Sequence, residues 1–83
     1  MDIKKKYLVE NMYVKTRNGW TFQVVNINGE LQLEKLKKPK DVQSLSIYNE
    51  NTLNAEKYSG LDCMLVYQKL GRLKKRILWK RAE

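Results

Sequence analysis

Residues 12–36 read MYVKTRNGWTFQVVNINGELQLEKL and carry Asn-Gly twice, at Asn18-Gly19 and Asn28-Gly29. Both central positions of a type I′ turn need positive φ, which Asn and Gly adopt at low cost. Two such turns flanked by β-prone residues predict a three-stranded meander, with strands near 12–17, 20–27 and 30–36. A two-residue loop at 28–29 sets the register. It pairs Ile27 with Glu30, Asn26 with Leu31, Val25 with Gln32 and Val24 with Leu33. One face then collects Trp20, Phe22, Val24, Leu31 and Leu33, a core face. The other collects Thr21, Gln23, Gln32 and Glu34, a solvent face. Val25 and Ile27 interrupt it, and a second layer, as in a small barrel, would cover them.

Beyond the meander the signals weaken. Residues 37–44, KKPKDVQS, combine Pro39 with four charges and predict a loop. Its lysines, with Lys35, extend the basic surface if the loop folds toward the C-terminus. Leu45, Ile47 and Tyr48 read as a short strand or a turn. Residues 51–59, NTLNAEKYS, predict a short helical turn near 52–58, with Thr52 as N-cap and Gly60 ending it. The expected architecture is mainly β. It is a small antiparallel SH3-like partial barrel of about five strands, one domain over residues 1–83. Residues 1–7, with Lys4, Lys5 and Lys6, read as a flexible, solvated end.

Composition narrows the function. The chain has 83 residues, 17 basic and 9 acidic, with no histidine and one cysteine, Cys63. That vocabulary excludes a Cys–His dyad, a Ser–His–Asp triad and a Cys/His zinc site. The four glycines stand apart, so no phosphate loop appears. A non-enzymatic protein without cofactor or metal is expected. No apolar run follows the basic start, and none reaches the ~20 residues that span a bilayer. A cytoplasmic protein is the expectation, with Cys63 a small buried hydrophobe.

The positive charge is local. Residues 69–81, KLGRLKKRILWKR, hold seven of the seventeen basic residues and no acid. Two readings fit residues 64–81. As a hairpin, Gly71-Arg72 forms a type II′ turn. Leu70 then faces Leu73, Gln68 faces Lys75, Val66 faces Ile77 and Met64 faces Trp79, on a core face. The opposite face pairs Lys69 with Lys74, Tyr67 with Arg76 and Leu65 with Leu78, with Lys80 beyond. As a helix, Val66, Leu70, Leu73 and Ile77 share one side, giving a basic amphipathic helix. Gly71 in its middle costs ~1 kcal/mol, and the preceding MLVY favours the hairpin. The candidate binding residues are therefore Tyr67, Lys69, Lys74, Arg76 and Lys80, lysines and arginines for phosphates with Tyr67 for stacking. The bland reading is a solubilising face that discourages edge pairing. Trp79, Trp20 and Phe22 read as core before ligand platform. Arg17 stands at a loop tip.

Several segments, in order, resemble a family of small phage and prophage proteins of Gram-positive bacteria. LVENMYVKTRNG, from Leu8 to Gly19, is similar to its opening L-x-x-G-M-x-V-x-x-R-x-G. SIYNENTLNAEKYSGLDCMLVY resembles its Y-N-E-x-L segment followed by an aspartate and a V-Y strand. ILWKRAE resembles its I-W-E-R-E-E close. Asn11 stands where that family has Gly, and Asn also visits the left-handed region. Lys80 and Ala82 stand where acids are common. The resemblance implies a compact β-rich phage or prophage accessory protein and no settled activity. Two functions are expected. The first is binding of nucleic acid or a nucleoprotein through the basic hairpin. The second is inhibition of a host protein, such as a defence nuclease, in the manner of anti-CRISPR proteins, or a transcription component.

Overall fold

The computed structural model describes residues 4–38 and 41–82. Pro39 and Lys40, placed above in a basic loop, lie outside the described residues, as do positions 1–3 of the expected flexible end. Six strands form: β1 (Tyr13–Thr16), β2 (Thr21–Ile27), β3 (Glu30–Lys35), β4 (Val42–Ser44), β5 (Cys63–Lys69) and β6 (Lys75–Lys80). They make one sheet in the order β4-β3-β2-β1-β5-β6. Every neighbouring pair is antiparallel. The fold is mainly β, as expected. The sheet is open, with β4 and β6 as its edges, and this strand order does not by itself make an SH3-like barrel.

Local chemistry explains the β2–β3 hairpin. Asn28 and Gly29 take φ of 54° and 85°, the two positive values a type I′ turn requires. The pairs Ile27 with Glu30 through Val24 with Leu33 follow as predicted. The earlier Asn-Gly behaves differently. Only Gly19 is left-handed, at φ 88°. The loop spans Arg17, Asn18 and Gly19: the Gly19 amide donates to the Thr16 carbonyl at 3.0 Å, and the Thr16 amide to Trp20 at 2.9 Å. The crossover takes the loop's other amides, Arg17 donating to Asp62 at 2.9 Å and Asn18 to Gly60 at 2.8 Å. Tertiary hydrogen bonds thus override the two-residue turn. Asn11 adopts φ 74°, so it serves where glycine would.

The segment between β4 and β5 covers one face of the sheet. Tyr48, Leu53, Ala55 and Leu61 pack there on Leu8, Val14, Phe22, Val24, Leu33, Cys63 and Val66. Its helical content is two 3-10 turns, at Leu45–Ile47 and Ser59–Leu61, and not at 52–58. The reason is a tight reversal. Tyr48 bridges Ala55, and Leu53 is left-handed and fully buried. Asn49 accepts from the amides of Asn51 and Thr52, and the Thr52 hydroxyl accepts from Asn54 without a helix following. The 37–44 stretch is not all loop either, since β4 pairs with β3. Near the start, a 3-10 turn spans Lys5–Tyr7. The Lys5 ammonium donates to the carbonyls of Leu45 and Tyr48 at 3.1 and 3.2 Å, so this lysine is tied to the crossover.

Candidate functional site

Strand pairing assembles the site on the sheet face away from the core. β1 lies between β2 and β5, which sets Tyr13 opposite Tyr67 and Lys15 opposite Leu65. The two tyrosine rings stack with centroids 5.4 Å apart and 14° between planes. Lys69 stands 4.6 Å over the Tyr13 ring and Lys75 5.0 Å over the Tyr67 ring. Such contacts hold a cation near an aromatic face by the ring quadrupole. Burial and the neighbouring Tyr13 push the Tyr67 phenol above its ordinary pKa. Lys15 and Lys80 flank the cluster through their pairing with Leu65. Alternation along the strands puts no acid on this half of the face. Glu30 and Glu34 lie on β3, on the same side of the sheet but across β2.

The last hairpin is a hairpin, but its register differs from the expectation. Gly71-Arg72 is not a two-residue turn. The Leu70 amide donates to Lys74 at 2.9 Å, so the loop holds three residues. The pairs are Lys69 with Lys75, Gln68 with Arg76 and Tyr67 with Ile77. Leu78 is then an extra residue, after which Trp79 meets Val66 and Lys80 meets Leu65. A one-residue slip moves every side chain to the other face. Ile77 accordingly leaves the core, and Leu70 and Leu73 stand 63% and 98% exposed at the tip. The bulge restores Trp79 to the core side, where it packs half-buried.

Of the predicted residues, Tyr67, Lys69 and Lys80 come together on one face. Arg76 falls on the opposite side, across from Gln68, and Lys74 lies at the tip beyond β6. Tyr67 is only 9% exposed, so it braces the lysines and offers no open stacking face. Lys75, Tyr13 and Lys15 are not among the residues the sequence predicts. Lys75 was lost to the slipped register. Tyr13 and Lys15 lie some fifty residues from β5 in sequence, and only the β1–β5 pairing brings them in.

Two other cations belong to the scaffold. Arg81 donates from Nε to the Cys63 carbonyl at 2.9 Å and from Nη2 to the Thr52 carbonyl at 2.8 Å. Arg17 pairs with Asp62 at 3.3 Å, and the other Asp62 oxygen accepts from the Ala55 amide at 2.8 Å. Cys63 is buried, and burial pushes its thiol up to about 12. Burial, with the nearby Cys63 and Asp62, holds the Tyr48 phenol well above its ordinary value while its hydroxyl donates to the Leu61 carbonyl. Among the described residues no three His, Cys, Asp or Glu side chains gather as a metal site, and no helix is long and apolar enough to cross a membrane.

No protein-family model, curated protein or solved structure matches the chain.

Proposed function

We propose that this is a non-enzymatic binding protein that takes nucleic acid, or the nucleic acid of a nucleoprotein, on the outer face of β1, β5 and β6. One observation carries the reading: Lys15, Lys69, Lys75 and Lys80 share the face of β1, β5 and β6, where those strands bear no acid, and two of them are seated on a stacked tyrosine pair. Lysines held at fixed positions neutralise phosphates and release counterions, which gives affinity without sequence preference and with steep salt dependence. The test is a gel shift at low salt with mixed DNA and RNA. Lys69→Glu, Lys75→Glu and Lys80→Glu together are expected to abolish binding while thermal unfolding stays cooperative. Unchanged affinity in that folded variant sinks the reading.

A second reading, an inhibitor docking on a host protein, is favoured by the hairpin tip. Leu70 and Leu73 project into solvent between Lys69, Arg72 and Lys74. A phosphate backbone covers no leucine, whereas a protein surface does. A host protein captured by the wild type and lost on Leu70→Ser with Leu73→Ser, with no gel shift near physiological salt, would select this reading.

A further inference from the structure

We propose that the cleft around Trp20 is a second binding site, for a ligand joining a planar ring to a phosphate: a nucleotide, free or as one unit of a single strand. Trp20 alternates with Phe22, their ring centroids 6.3 Å apart, which puts it on the core side of the sheet, away from the lysine face. Two cavities meet at this indole. The larger, about 780 Å³, is lined by Trp20, Tyr58, Gln43, Lys57 and Ser59 among others. The smaller, about 200 Å³, is lined by Trp20 with Lys35, Lys37 and Lys38.

The chemistry of the two halves differs. Trp20 is 39% exposed and Tyr58 67%, so two rings offer open surface to the larger cavity. Bases stack on such rings whatever their identity. Gln43, Ser59 and Lys57 supply polar edges. Asp41, the acid in the lining, already accepts from the Val42 amide at 2.9 Å and from the Gln43 side chain at 2.6 Å. The smaller cavity is cationic. Lys35 is 7% exposed, its stem buried opposite Phe22 and its ammonium 4.0 Å over the Trp20 ring. No carboxylate lies within ion-pair distance of it among the described residues. Lys37 and Lys38, exposed beside it, would meet a phosphate, with the covered Lys35 adding its charge from beneath. Lys35 lines the small cavity and not the large one, which leaves the indole surface toward the large one for a base.

The experiment follows backbone amide and indole N–H signals of the isotope-labelled full chain at low salt, by two-dimensional NMR. Thymidine monophosphate and a short oligothymidylate are titrated separately. Saturable shifts at the Trp20 indole, Gly19 and Gly60 are expected. Saturation by both probes identifies a free nucleotide as sufficient, and saturation by the oligonucleotide alone identifies a strand unit. Tyr58→Ala, and Lys37→Ala with Lys38→Ala, should each weaken those shifts by about tenfold, since stacking and phosphate contacts are each lost on the surface. An unmoved Trp20 indole with both probes overturns the site, as does full affinity in both variants. Shifts confined to β1, β5 and β6 remove this site and leave the lysine face standing. Shifts at Trp20 with an inert lysine face do the reverse.

Discussion

The sheet contains two long hairpins, β2–β3 and β5–β6, that divide its tasks. The first turns on Asn28 and Gly29, runs without a bulge and buries Phe22, Val24 and Leu33 almost completely. The second closes over a three-residue loop, carries an extra residue at Leu78 and leaves Leu70, Leu73 and Ile77 in solvent. Both hairpins meet β1, one directly through β2 and the other through β5. The apolar yield of the first supports the fold. The cations of the second, Arg81 apart, lie in solvent. A small domain has little core to spare, and β5 also gives it Cys63 and Val66, so it is β6 and the hairpin tip that the core leaves in solvent.

The strongest way to break this contrast is truncation. Phe22→Ala should cost about 3–5 kcal/mol by urea unfolding, while Ile77→Ala should stay within about 0.5 kcal/mol. Comparable losses at both positions would mean that Ile77 of β6 also carries the core.

Alkaline titration probes the junction of β5 with the crossover. Cys63 is raised to about 12, and Tyr48 is raised as well. Both stay protonated in the fold while the unfolded chain ionises. Their contribution is therefore intact below the unfolded thiol pKa of about 8.5 and is lost as pH rises above it. The urea midpoint should be flat to that pH and fall toward about 12, with Cys63→Ala reducing the early part of the fall. For the same reason a thiol reagent should label Cys63 only on unfolding.

The smallest effect sharpens the turn. Gly29→Ala should cost about 1 kcal/mol, because its φ of 85° strains an L-residue although no atom lies within 4 Å of the added Cβ. A neutral outcome would mean the type I′ geometry does not hold the register.

The two hairpins were also unequally legible in the sequence. Asn28-Gly29 determines its register through backbone geometry confined to two residues, so the pairs from Ile27 to Val24 could be read directly. Gly71-Arg72 offered a plausible turn, but apolar and basic residues crowd that segment so densely that the neighbouring register also separates a greasy from a charged face. Nothing local distinguishes a loop of two residues from one of three, or marks Leu78 as a bulge. Asn18-Gly19 failed for another reason, since its loop is shaped by hydrogen bonds to Gly60 and Asp62. The make-up of the lysine face was half legible. The charge run and the hairpin pattern place Lys69, Lys80 and Tyr67 on one face, as the structure does, whereas Tyr13 and Lys15 depend on which strand sits beside β5.

The lysine face is tested most directly by two alanine triples of equal charge. One removes Lys69, Lys75 and Lys80 from the face, and the other removes Arg72, Lys74 and Arg76 from the same hairpin off the face. The measurement is the slope of log affinity against log salt for a single-stranded oligonucleotide. Losing three phosphate contacts should flatten the slope by about 2 in the first triple. The second should keep most of the wild-type slope. Equal flattening in both would contradict the account, because charge density alone, and not the Tyr13–Tyr67 face, would then carry the binding.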